Sequence, residues 1–197
     1  MTGFLEPFRD HVEWVAAFLG LVTVILVVRR SVWNYPFALA MVTLYFFEFV
    51  EEKLYSDALL QIFFLVINLY GWWAWSRAPQ VEAGVAVIRM SSRSRAHWLG
   101  ATALASLAWG WLMASFTDAA APFVDAAVAG TSVAAQWLQS LRRVETWILW
   151  IVADLIAIPL YWSKGLVPTT ILYCIFLGLA VAGLREWQRT LRKEAMA

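Results

Sequence analysis

Long apolar runs alternate along the chain with short polar and charged punctuation. The runs cover residues 12–28, 34–50, 56–75, 97–115, 120–138, 146–163 and 168–187. A helix needs roughly 17–25 apolar residues to cross a bilayer, and each run has that length. Barrel strands would show segments of about ten residues with alternating polarity, and these runs are too long and too continuously apolar. The pattern therefore predicts an all-α integral membrane protein with seven transmembrane helices. The least apolar run, 120–138, is rich in Ala, Ser, Thr and Gly. Small residues suit close helix packing in lipid, so it is kept as a span. The first run follows Glu6, Asp10 and Glu13 against Arg9, and it ends at Arg29-Arg30 rather than at a small-residue cleavage site. It reads as a retained helix, not a signal peptide.

One stretch recurs. QIFFLVINLYGWWAW, residues 61–75, returns in blurred form as YCIFLGLAVAGLREW, residues 173–187, an offset of 112. Phe64, Leu65, Gly71 and Trp75 fall on Phe176, Leu177, Gly183 and Trp187. The offset maps the first three helices onto the last three and leaves the fourth between them. An odd linker helix returns the chain to its starting side, so the two copies have the same orientation. The expected architecture is two parallel three-helix repeats, 12–75 and 120–187, joined by a linker helix, 97–115 (3+1+3). Transporters are often built from such repeats, with the solute site between them near the midplane.

Composition strengthens the membrane reading. The chain of 197 residues is 62% hydrophobic and 15% charged, with a mean hydropathy of +0.67. A soluble domain is about half apolar and about a quarter charged. The 13 tryptophans also fit, because Trp collects at membrane interfaces. A net charge of +1 gives no reason to expect nucleic acid. The sole cysteine, Cys174, excludes an internal disulfide. Charge position is more informative than net charge. With seven crossings, one side receives Arg9, Lys53 and Lys164, and the other receives the remaining 12 of the 15 Lys and Arg residues. The positive-inside rule then places the N-terminus outside and the C-terminus in the cytoplasm.

Polar groups within spans are costly and face the bundle interior or a cavity by default. At about 100° per residue, Gln61, Asn68, Trp72 and Trp75 form one narrow stripe on the third helix. Trp147, Trp150, Asp154 and Tyr161 form another on the sixth. Asn34, Met41, Tyr45 and Glu48 share a face of the second, and Ser132, Gln136 and Gln139 share one of the fifth. Asn68 and Asp154 both lie roughly 10–12 Å inside the cytoplasmic ends of their helices. An amide, a carboxylate and indole rings at one level suit a flat, polar, cationic ligand, with stacking and cation–π contact of about 0.5–2 kcal/mol each. The candidate substrate-binding residues are Gln61, Asn68, Trp72, Trp147, Trp150 and Asp154.

Plainer roles compete at several positions. Trp33, Trp75, Trp98, Trp162 and Trp187 stand at span ends, where interface anchoring is the expected role. Gln61 and Asn68 could be interhelical hydrogen-bond partners, and Asp154 could pair with a buried donor. Glu48, followed by Glu51 and Glu52, reads as solvated. Pro36, Pro159 and Pro168 kink helices or mark their ends, and position alone does not say which. In the other copy Gln61, Asn68 and Asp154 become Tyr173, Ala180 and Val42. That asymmetric lining suits one asymmetric solute. His11 and His97 pair with no metal-binding pattern, and there is no phosphate loop or nucleophile elbow. No metal, cofactor or enzymatic activity is expected.

The stretch Lys53-Leu54-Tyr55-Ser56-Asp57-Ala58-Leu59-Leu60-Gln61, with Phe63-Phe64 and Gly71-Trp72, resembles the PnuC family of vitamin-precursor transporters. So do Val144-Glu145-Thr146-Trp147, Trp150, Asp154, Lys164-Gly165-Leu166 and Gly183…Glu186-Trp187. The resemblance covers residues 20–190. It implies a SWEET-like 3+1+3 fold and facilitated diffusion across the bacterial inner (cytoplasmic) membrane. It also implies trapping of the imported nucleoside by a cytoplasmic kinase, and a homotrimer. The substrate is implied to be nicotinamide riboside, with thiamine or riboflavin as alternatives within the family. Gln61, Trp147 and Trp150 fall on family motif positions, and Asn68 and Asp154 stand where related groups vary. Thiamine is flat and cationic too, so the carboxylate argument does not separate it from the riboside. Riboflavin is larger and neutral. A membrane receptor or assembly subunit without transport of its own is the competing class, and the short loops and the repeat favour transport.

Overall fold

Helices form where the apolar runs predict them. The computed structural model describes residues 9–51, 55–82, 84–118 and 121–196. Glu6, Glu52, Lys53 and Leu54, used in the sequence reading, lie outside the described residues. The helices are α1 (Arg9–Val28), α2 (Asn34–Glu51), α3 (Tyr55–Ser76), α4 (Ser92–Phe116), α5 (Pro122–Ser140), α6 (Thr146–Ser163) and α7 (Val167–Glu194). Between α3 and α4, β1 (Gln80–Val81) and β2 (Gly84–Val85) pair antiparallel, Gln80 with Val85 and Val81 with Gly84. This hairpin lies between the predicted spans 56–75 and 97–115.

Among the described residues, four helices are long and apolar enough to cross a membrane: Ala58–Ser76, Ser92–Phe116, Thr146–Ser163 and Val167–Glu194. Trp14–Val28 is a shorter apolar helix. The expectation of seven such spans is thus met in helix number but not in hydropathy. α2 includes Asn34, Glu48 and Glu51, and α5 includes Asp125, Thr131, Gln136 and Gln139. Several of these are buried inside the protein, where polar groups need not meet lipid.

Proline resolves into boundary and interior roles. Pro122 and Pro168 occupy the first turns of α5 and α7, where the missing N–H has no helical partner to lose. Pro36 lies in the first turn of α2, and Pro159 is inside α6. α4 starts on Ser91, whose hydroxyl accepts the Ser94 N–H at 3.2 Å.

The chain divides into two compact units, Met1–Ala86 and Val87–Ala197. In the first, α2 packs against both α1 and α3. In the second, α5 packs against α4 and α6, and α6 packs against α7. α4, expected as the linker helix, packs against α5. Its buried position is Gly110, which lies against Phe123.

The same corner motif occurs once in each unit. α1 ends with Arg30 N–H donating to Val27 O and Ser31 N–H to Leu26 O, both 2.9 Å, with Arg30 at φ 58°. α5 ends with Arg142 N–H donating to Gln139 O and Arg143 N–H to Leu138 O, both 2.9 Å, with Arg142 at φ 57°. Both are helix ends of the Schellman type, placed 112 residues apart. An arginine in the left-handed region is costly unless its surroundings hold it. In the first unit Arg30 O accepts Val85 N–H at 3.1 Å, and the Arg30 guanidinium donates to Val81 O at 3.2 Å. In the second, Arg142 O accepts Ile88 N–H at 2.9 Å, and Ile88 O accepts Val144 N–H at 3.0 Å.

Candidate substrate site

The third helix supplies its residues to the first unit. Asn68 is 3% exposed, and its amide donates to Phe64 O at 2.8 Å. Gln61 is half-buried, and Trp72 is 39% exposed. Trp75, expected as an interface anchor, is fully buried instead. Its ring meets Tyr35 of α2 edge-on, with centroids 5.4 Å apart at 88°. Gly71 makes room for this pair: a Cβ there would lie 2.5 Å from Tyr35 Oη and 2.7 Å from Cε1.

The second unit repeats the arrangement at the same offset. Trp147 of α6 meets Trp187 of α7 edge-on at 5.5 Å and 87°. A Cβ on Gly183 would collide with the Trp147 ring. Trp187 was expected at the interface as well, and it too is fully buried. Trp147 is 1% exposed, so the structure gives this candidate contact residue a helix-packing position. The match of Gly71 with Gly183 and Trp75 with Trp187 was legible in the repeat. Its third member, Tyr35 with Trp147, was missed because a tyrosine and a tryptophan do not align as identities.

Trp150 and Asp154 are one turn apart on α6. Trp150 is partly buried against Met90, Ala134, Ala135, Leu138 and Leu149. Its Nε1 donates to Gln139 Oε1 at 3.2 Å. Asp154 is 3% exposed, and no hydrogen bond or ion pair joins it to another described residue. Asn68 lies eight residues before the end of α3 at Ser76, and Asp154 lies eight after the start of α6 at Thr146. Gln136 and Gln139, on the predicted polar face of α5, are both buried.

Glu145, seen in the sequence only as part of a motif, is a structural centre. It is 7% exposed. Its carboxylate accepts the Met90 N–H at 3.1 and 3.2 Å and the Arg95 Nε–H at 2.8 Å. It stands at the N-terminus of α6, where the helix dipole favours negative charge. Among the described residues no cluster of His, Cys, Asp and Glu could hold a metal.

Residues 10–189 match the protein family described as nicotinamide mononucleotide transporter. The nicotinamide riboside transporter PnuC of Escherichia coli (strain K12) is 27% identical over 207 residues, covering 92% of this chain and 87% of that protein. The riboflavin/roseoflavin transporter RibM of Streptomyces davaonensis is 28% identical over 194 residues, covering 95% and 91%. The crystal structure of the vitamin B3 transporter PnuC matches with a TM-score of 0.78 at 24% identity, covering 96% of this chain and 86% of that one. At that identity the match speaks for the fold.

Proposed function

The chain belongs to the PnuC family of nicotinamide mononucleotide transporters, and on that premise we propose that it carries nicotinamide riboside across the bacterial cytoplasmic membrane. It is a multi-pass membrane transporter, and its family is one of transporters rather than enzymes.

The observation that carries the substrate reading is Asp154. A carboxyl group 3% exposed, without a donor among the described residues, stands one turn from a tryptophan. Buried charge is tolerated where a counter-charge completes it. A flat pyridinium supplies both the charge and a face for the indole. Neither α3 nor α6 contains a lysine or arginine. That favours the riboside over the phosphorylated mononucleotide, whose phosphate would find no cation on these two helices. Gln61, Asn68, Trp72, Trp150 and Asp154 are the proposed contacts. Trp147 is assigned to support them through its packing on α7.

The finer architecture is also our proposal: two parallel three-helix repeats joined by α4, with the N-terminus outside and the C-terminus in the cytoplasm. The recurrence of corner, aromatic pair and glycine at one offset supports it. Facilitated diffusion, drawn inward by phosphorylation of the product by a cytoplasmic kinase, fits a chain with no phosphate loop of its own. We propose a homotrimer embedded in lipid.

The test is binding and counterflow with the purified chain in proteoliposomes. Nicotinamide riboside is expected to bind and exchange, and Asp154→Asn to weaken binding about tenfold or more, as loss of a charge-assisted contact does. Riboflavin is the second reading, favoured by the similarity to RibM at an identity matching that of PnuC. Riboflavin binding that is insensitive to Asp154→Asn, with no riboside binding, would establish the second reading over the first. Thiamine binding without riboside binding would overturn the substrate and keep the family.

A further inference from the structure

We infer that Gln139 is a positioning residue for the solute site, holding the Trp150 indole in the orientation that presents its face to the solute. This rests on the reading of Trp150 as a solute contact given above. The indole N–H is a donor only, so the atom it meets at 3.2 Å must be the amide oxygen, and that fixes the amide's orientation. Gln139 is itself 6% exposed and its backbone is locked into the α5 corner, where its carbonyl accepts the Arg142 N–H at 2.9 Å.

The internal repeat supplies the control. At the offset of 112, Gln139 corresponds to Val27 and Trp150 to Ala38. The Val27 carbonyl accepts the Arg30 N–H at the same 2.9 Å. Val27 is 1% exposed and Ala38 3% exposed. The same corner and the same packing of one helix on the next are therefore built without an amide or an indole at these positions. The fold does not require the Gln139–Trp150 hydrogen bond. It occurs in the copy whose α6 also carries Asp154, one turn beyond Trp150. An indole tethered at its nitrogen can pivot less, so less ordering remains to be done when a ligand stacks on it.

The experiment is a double-mutant cycle on the full chain, with nicotinamide riboside affinity measured by calorimetry and folding checked by thermal melting in the same detergent. Q139M keeps the volume and removes the acceptor, and Q139L serves if Q139M does not fold. In the wild-type background the substitution is expected to weaken binding about fivefold, the effect of one neutral hydrogen bond. In the W150F background it is expected to cost nothing further, because Gln139 acts through the indole. An equal cost in both backgrounds would overturn the inference, since Gln139 would then act without Trp150. So would unchanged affinity in Q139M when W150F alone weakens binding. If W150F leaves the affinity unaltered, the assignment of Trp150 as a contact is overturned, and the role of Gln139 with it.

Discussion

Glu145 shows how much one side chain can decide at a loop. Its carboxylate joins the Met90 backbone and the Arg95 guanidinium to the start of α6. Removing a buried acceptor leaves its donors unsatisfied, which costs more than the bond itself. Glu145→Ala is expected to destabilise the protein by about 2–3 kcal/mol. Arg95→Ala should cost only about 0.5–1 kcal/mol, because that side chain is 40% exposed and water can replace it. Melting curves of the purified variants check the ranking. A larger loss for Arg95→Ala than for Glu145→Ala would refute it. Glu145 was present in the quoted motif, yet its role was not legible. Hydropathy marks it as a loop charge, and only the fold brings residues 90 and 95 to it. Asp154 and Asn68 were legible because a polar residue inside an apolar run stands out at any packing.

At the scale of helices, the repeated aromatic pair sets how closely α2 meets α3 and α6 meets α7. Gly183 lies against the Trp147 ring, whereas Gly178 has nothing within 4 Å of the place a Cβ would occupy. Gly183→Ala is expected to cost about 1–3 kcal/mol through overpacking. Gly178→Ala should be neutral or stabilise by up to about 1 kcal/mol, from helix propensity. The pair of melting temperatures separates packing from propensity, and equal shifts would refute the packing account. The repeat revealed Gly183 and Trp187 as special, while the tryptophan's position at a span end suggested an interface role. A residue at the end of an apolar run is equally compatible with headgroups and with a neighbouring helix. The ring of Trp147 chooses between them.

For the whole molecule, charge placement predicts orientation. A C-terminal fluorescent-protein fusion is expected to fluoresce and a C-terminal alkaline phosphatase fusion to be inactive, as a cytoplasmic C-terminus requires. The reverse pattern would overturn the 3-against-12 argument from lysine and arginine. Riboside counterflow is expected to be unchanged when ionophores collapse proton and sodium gradients. A rate that rises with either gradient would replace simple facilitation by coupled transport. The seven helices were determined by the sequence alone, because apolar length and polar breaks are local properties. So were the repeat, the membrane setting and the polar positions within the helices. The tertiary structure decided which tryptophans are buried, which glycine is crowded, which carboxylate is clamped and which amide holds Trp150. Those facts depend on contacts between residues 11 to 55 positions apart, and no local pattern specifies such distances.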